Sequence, residues 1–318
     1  MVAVITGRLA EVWEGESAMA MLGASGERQR LRKERSQRAV AAAVALARSH
    51  GLRVEEPTVL NDLFSVMVHL RPAPVVARVP TWISRLRTPV SDWLDRELAV
   101  TTFLAEQGAP VVAPSRELPP GPHRHEGHTI SFWTYLQPDP DRTPTAADCS
   151  AMLVDLHAAL RRYPGELPTL APAVIDLPRW LTTLDTTMAG DVLGAADLAQ
   201  VRAAAERLGR FLEAPGGDVQ PLHGDAHPNN LIATREGLVW IDFEEVCRGP
   251  VEWDLATMMD PEAAAAHHRP DPAMLARCTQ LRALQVALCL LALSDVFGDL
   301  DGWDESIRSL LGPLTSAP

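Results

Sequence analysis

Residues 221–245 read PLHGDAHPNNLIATREGLVWIDFEE, and three side chains in this stretch have types and spacing that suit one reaction: Asp225, Asn230 and Asp242. Two short apolar runs, 231–233 and 238–241, flank a Thr-Arg-Glu-Gly turn and are predicted to pair as a hairpin. Pairing puts Asn230 just before the first strand and Asp242 at the end of the second, so both side chains arrive at the same end, and Asp225 lies in the loop that feeds it. Phosphoryl transfer needs such a set. One carboxylate orients an attacking hydroxyl and accepts its proton, while hard oxygen ligands hold magnesium on the nucleotide phosphates.

The rest of the chain must supply elements that hold these residues. It has 318 residues, 47% hydrophobic and 22% charged, enough for one large domain or two modest ones with real cores. An Arg-, Glu- and Ala-rich helix is expected over 26–50, ended by Gly51, with 1–25 as a flexible end. Its basic run is expected to be a solvated face. Val- and Leu-rich runs at 53–60, 63–70 and 74–79 read as antiparallel strands. An amphipathic helix is predicted over 91–108, capped by Ser91-Asp92 and stopped by Gly108, with Trp93, Leu94, Leu98, Phe103 and Leu104 on its apolar face. Further strands at 111–113 and 128–136 precede a Pro/Asp-rich linker at 137–144. Helices are then predicted at 145–162, 177–188, 195–212, 251–259 and 272–296. The fold class is α+β: a strand-rich part, 1–136, followed by a helical part, 137–318.

The ordered set His-Gly-Asp, Asn five residues after the Asp, hairpin, Ile-Asp-Phe-Glu resembles the aminoglycoside phosphotransferase and choline kinase-like family. The match is densest over 223–253 and coarser over about 52–300. The resemblance implies the two-lobed protein-kinase-like fold, with a nucleotide-binding N-terminal lobe and a catalytic, acceptor-binding C-terminal lobe. It also implies that Asp225 is the catalytic base and that Asn230 and Asp242 bind Mg2+. His223 would brace the loop, and Asp254, in Trp253-Asp254-Leu255-Ala256, would support it. Spacing alone equally allows Asp254 to be an ordinary carboxylate at a helix start. His227 has no assigned chemistry.

The N-terminal part departs from the family pattern. Kinases place a lysine on the third strand, paired with a glutamate of the next helix, but the only lysine is Lys33, in an earlier helix. Arg78 takes the lysine's place on the third strand and Glu97 the place of its partner; a plain ion pair is the competing explanation. Arginine stays charged and meets phosphates bidentately, so the exchange is workable. The glycine-rich phosphate loop is replaced by residues 60–65, where Ser65, with Asn61 and Asp62, can turn the chain and offer backbone N–H groups. Residues 132–136 fall where the hinge should run, making the backbone of Thr134 and Leu136 candidates for bonding a purine. His123, His125 and His128 lack helical register for a metal site.

Four separated cysteines without Cys-x-x-Cys suit reduced thiols and a cytoplasmic setting. The start shows no basic-then-apolar signal pattern, and no apolar run reaches the roughly 20 residues of a bilayer span. Formal charge is +2 over 1–136 and -14 over 137–318, which disfavours nucleic acid and suits a cationic small molecule. Glu244, Glu245, Asp260, Asp295, Asp299, Asp301, Asp304 and Glu305 are the candidate acceptor contacts. No Gly-x-Ser-x-Gly elbow or Gly-x-Gly-x-x-Gly loop is present. The function expected is ATP-dependent, magnesium-requiring phosphorylation of a small-molecule alcohol, with GTP a further donor to consider. The acceptor could be an aminoglycoside, amino sugar or amino alcohol. The rival reading is a catalytically silent kinase-like nucleotide-binding protein.

Overall fold

The computed structural model describes residues 26–184, 192–213, 218–258 and 260–315. In chain order the elements begin with α1 (Gly26–Ser49), β1 (Val54–Asp62), β2 (Ser65–Pro72), β3 (Val75–Pro80), α2 (Ile83–Leu86), α3 (Val90–Glu106), β4 (His123–His125) and β5 (His128–Thr134). Next come α4 (Ala146–Leu160), α5 (Ala171–Thr183), α6 (Ala195–Glu213), β6 (Gln220–Leu222), β7 (Leu231–Thr234), β8 (Gly237–Trp240) and β9 (Cys247–Gly249). The chain ends with α7 (Glu252–Thr257), α8 (Pro261–His267), α9 (Pro272–Ala292), α10 (Ser294–Phe297) and α11 (Trp303–Thr315). Two compact units result. One is Gln29–Thr143 with Leu231–Glu244; the other contains the described parts of Pro144–Asn230 and Glu245–Pro318. The first break falls after Thr143, and the hairpin 231–244 belongs with the sheet. Backbone bonds account for this: Trp240 N–H donates to the Pro110 carbonyl at 2.8 Å, and Val112 N–H to the Trp240 carbonyl at 2.9 Å.

The first unit is an antiparallel sheet in the order β1-β2-β3-β5-β4. Ala39, Ala42, Ala43, Leu46 and Ala47 recur at helical spacing on α1, and their small side chains let the helix lie close on Val66, Val68, Val75, Ala77 and Val79. Strand residues alternate between faces, so Val76 and Arg78 turn away from α1. Val76 packs with Leu98 of α3 and Trp133 of β5. The alternation that buries Val76 therefore delivers Arg78 to the same helix.

The second unit is mainly helical around α9, whose Leu281, Leu284, Leu288 and Leu291 are buried. Among the described residues only α9 is long and apolar enough, by length and composition, to cross a membrane, and half of that window is buried within the fold. Thr145 and Asp148 form a capping box at the start of α4, and the Asp271 side chain caps α9 through Met274 N–H at 2.7 Å.

Several sequence expectations need correction. α3 starts at Val90 with Pro89 at its cap position, and Ser91 bonds Asp92 instead of capping; a residue preceding proline, here Thr88, is disfavoured in helical conformation, which sets the start. Residues 111–113 form no strand, only a bridge of Val111 to Trp240 before Pro114. The 272–296 segment breaks at Leu293 into α9 and α10. α5 begins earlier than 177, and the rest of that expected helix, like residues 1–25, lies outside the described residues.

Candidate active site

The loop carrying Asp225 leaves β6 and is fixed by backbone bonds to one carboxylate. Asp254, in the first turn of α7, accepts from Gly224 N–H at 2.7 Å and His223 N–H at 2.9 Å, and His157 of α4 lies 2.8 Å from its Oδ2. Asp254 is fully buried; three polar partners offset the cost of placing a carboxylate there. Trp253 Nε1–H donates to the Gly224 carbonyl at 3.0 Å, and Thr257 donates to the Ala226 carbonyl. Gly224 has φ +90°, and a Cβ there would sit 2.0 Å from the Glu245 carbonyl oxygen, so glycine is required between His223 and Asp225. His223 Nδ1 accepts from Asp225 N–H at 3.3 Å.

These bonds present the Asp225 side chain at a depression, 20% exposed. Its Oδ1 is engaged by Arg282 of α9; its Oδ2 lies 3.4 Å from His227 Nε2 and 3.3 Å from Asn230 Nδ2. Burial opposes ionisation, but the Arg282 guanidinium and His227 outweigh it and hold the Asp225 carboxyl well below the usual carboxylate range. Asn230 Nδ2 also donates to the Asp225 carbonyl at 2.7 Å, which leaves its amide oxygen as the acceptor end. Besides Asp225, the depression is lined by the polar residues His227, Thr257, Thr279 and Arg282 and by the apolar residues Ala256, Ala283, Val286 and Leu310.

In the sheet unit a second cluster forms around Arg78, which is 6% exposed. Its Nη1 is 2.9 Å from Glu97 Oε1, 3.0 Å from Oε2 and 2.9 Å from Asp242 Oδ1, and its Nη2 pairs with Glu244. Arg87, stacked 4.1 Å from the Trp93 ring, reaches the other Glu244 oxygen at 2.7 Å. Phe243 N–H donates to Glu97 at 3.1 Å. Burial and the neighbouring Asp242 and Glu244 charges outweigh Arg78 and push the Glu97 carboxyl up to about 8. Asp242 has φ +64°, a left-handed conformation that aspartate tolerates better than most residues. Its carboxylate and the Asn230 amide oxygen are hard oxygen donors of the kind magnesium takes.

Ser65 opens β2 opposite Pro80. The turn before it is tied down: Asn61 Oδ1 accepts from Leu63 N–H at 3.1 Å, Ser36 donates to Asp62, and the Phe64 carbonyl accepts from Thr81, Trp82 and Ile83. At the expected hinge, Thr134 N–H already donates to Ala113 at 3.0 Å and Tyr135 N–H to Pro74 at 2.9 Å. Both N–H groups are thus committed within the fold. Of the acidic candidates, Glu244 is held by Arg78 and Arg87, Glu245 by Arg282 at 2.6 Å, and Asp260 caps α8, whereas Asp301 and Glu305 are exposed. Sequence reasoning passed over Arg282 and His157. The signal for Arg282 was a lone arginine between the apolar residues Leu281 and Leu284.

The model of the APH phosphotransferase enzyme family matches residues 73–285, about two thirds of the chain. The chain belongs to this phosphotransferase family. It is accordingly a small-molecule kinase, and its α+β architecture is the protein-kinase-like one. No curated protein matches by sequence. Among solved structures, choline kinase LicA from Streptococcus pneumoniae superposes with a TM-score of 0.62 at 14% identity, covering 86% of this chain and 98% of that one. A choline/ethanolamine kinase family protein from Mesorhizobium loti gives 0.58 at 15%, covering 90% and 96%. A microcompartment-associated aminopropanol kinase gives 0.60 at 17%, covering 85% and 94%. At these identities the likeness is one of fold.

Proposed function

We propose that this kinase moves the γ-phosphoryl group of ATP to an alcohol hydroxyl of a small molecule. The observation that carries the reading is Asp225, presented at the edge of a depression by a loop that Asp254 holds through two backbone N–H groups. Asp225 receives the hydroxyl's hydrogen bond. The acceptor oxygen bonds to the γ-phosphorus as the bond to the β,γ-bridging oxygen breaks, ADP leaves, and the hydroxyl proton passes to Asp225 and then to solvent. A carboxylate held so far below its ordinary range is a weak base. Its work is therefore mainly orientation, with late proton transfer, which suits a loose transition state.

Asn230 and Asp242 are the residues we assign to Mg2+, which when bound would neutralise the phosphate oxygens. Arg78, steadied by Glu97, is assigned to the nucleotide phosphates, Ser65 to the phosphate-side turn, and Thr134 and Leu136 to the base. We favour an amine-bearing acceptor such as an aminoglycoside, amino sugar or amino alcohol. The acidity of residues 137–318 supports this, as do the choline and aminopropanol named for two of the structural neighbours. A reaction that consumes ATP fits a cytoplasmic setting.

The test is an ADP- or GDP-release screen with ATP and GTP, with and without Mg2+, against amino sugars, aminoglycosides, amino alcohols and neutral sugars. Magnesium-dependent turnover with ATP, highest on amine-bearing alcohols, is expected. A folded protein that binds Mg-nucleotide but phosphorylates nothing would establish the silent nucleotide-binding alternative instead.

A further inference from the structure

Arg282 has no part in the reaction as derived so far, yet it is the residue most closely engaged with the proposed base. It stands 57 positions beyond Asp225 in sequence, on a helix whose buried neighbours include Leu281 and Leu284, and is 8% exposed. Its Nη1 donates to Glu245 at 2.6 Å and to Gln285 at 2.9 Å, and its Nη2 pairs with Asp225 Oδ1. Trp253, whose indole N–H holds the Gly224 carbonyl, has its ring 5.8 Å from the Arg282 guanidinium carbon.

A guanidinium is a planar fork that fixes direction as well as charge. Glu245 and Gln285 hold one nitrogen of the fork, and the other then dictates where Asp225 Oδ1 can be. The second oxygen, Oδ2, is left beside Asn230 Nδ2 and His227 Nε2. Arg282 also lines the same depression as Asp225, so the contact is made at the wall an acceptor would meet.

We propose that Arg282 is the positioning residue of Asp225: by engaging Oδ1 it makes Oδ2, on the Asn230 side, the oxygen that receives the acceptor hydroxyl. The direction of attack is thereby fixed by a residue outside the catalytic loop. The proposal rests on Asp225 being the residue that receives the hydroxyl.

The test uses full-length Arg282→Met, Arg282→Lys and Glu245→Gln proteins. Steady-state ADP release is measured with the best alcohol of the screen and with water as acceptor, and crystal structures of the variants show the Asp225 carboxylate. Misplacement of a reacting group costs on the order of 10²-fold, so Arg282→Met should lower kcat by about that factor while the KM for ATP stays near that of the unaltered chain. Arg282→Lys, which keeps the charge without the fork, should recover part of the loss, and Glu245→Gln should fall between. In the Arg282→Met crystal the carboxylate should rotate.

A folded Arg282→Met protein whose kcat stays close to that of the unaltered chain, or whose Asp225 carboxylate does not move, overturns the proposal. If Arg282→Met does not fold, the same two readouts are taken from Arg282→Lys and Glu245→Gln. Were the unaltered chain to transfer phosphate to no acceptor, water included, the functional reading would fail. The crystallographic result alone would then decide whether Arg282 sets the carboxylate.

Discussion

The two charged clusters are built differently. Around Asp225 the chain is anchored by its backbone: Asp254 takes two N–H groups, Trp253 and Thr257 take carbonyls, and side-chain pairing with Arg282 comes on top. Around Arg78 the anchoring is almost wholly between side chains, with Arg78 and Arg87 set against Glu97, Asp242 and Glu244. Backbone anchoring tolerates change in the side chain it presents, since the loop keeps its course. Anchoring by buried ion pairs does not, because removing one partner strands the others in a poorly solvated place.

The difference predicts what separate substitutions do. Asp225→Asn should leave the loop in place and remove charge and proton acceptance, lowering kcat by about 10² to 10⁴ with the KM for ATP little changed. A main effect on nucleotide KM would blur the contrast. Arg78→Ala should raise the KM for ATP and also destabilise the fold, by about 3–5 kcal/mol as for other broken buried pairs, read from denaturant midpoints. Arg78→Lys should recover only part, since a single ammonium cannot serve Glu97 and Glu244 through separate nitrogens. An Arg78→Ala protein as stable as the unaltered chain would show that the cluster is not structural.

Gly224→Ala tests the backbone anchoring directly. A Cβ at φ +90° and 2.0 Å from the Glu245 carbonyl should cost about 1–3 kcal/mol and reduce turnover, because the loop must shift; unchanged stability would refute the steric argument. The smallest effect concerns His268, whose Nε2 lies 3.1 Å from the Ser150 carbonyl. Burial lowers its pKa in the folded protein, so below its ordinary value near 6.5 the unfolded chain binds more protons. Its contribution is present above that pH and is lost as pH falls through it. His268→Gln should flatten the decline in thermal midpoint between neutral and mildly acid pH, and an unaltered slope would remove His268 from the account.

What could be read from sequence was what is local or periodic. The hairpin, the helix α3 and the sheet strands β1, β2, β3 and β5 follow from apolar patterning, whereas the pairing of Arg78 with Glu97 was implied by the family resemblance. Three features were out of reach because they depend on which distant elements pack together. Arg282 reaches Asp225 from α9, His157 reaches Asp254 from α4, and Glu244 divides its oxygens between Arg78 and Arg87. The start of α3 at Val90 was missed for a local reason: Ser91-Asp92 has the composition of a cap, while the proline ahead of it sets the boundary.

The allotment of 231–244 to the sheet unit has a consequence for biosynthesis. Residues 29–143 emerge from the ribosome first, but Trp240, whose backbone bonds Pro110 and Val112, follows about 100 residues later. At about 5–20 residues per second, the sheet unit stays incomplete for roughly 5 to 20 s while the intervening helices are made. A nascent chain halted near residue 143 should therefore be more open to protease around 109–114 than one halted beyond 244, and no single truncation yields the complete sheet unit without residues 144–230.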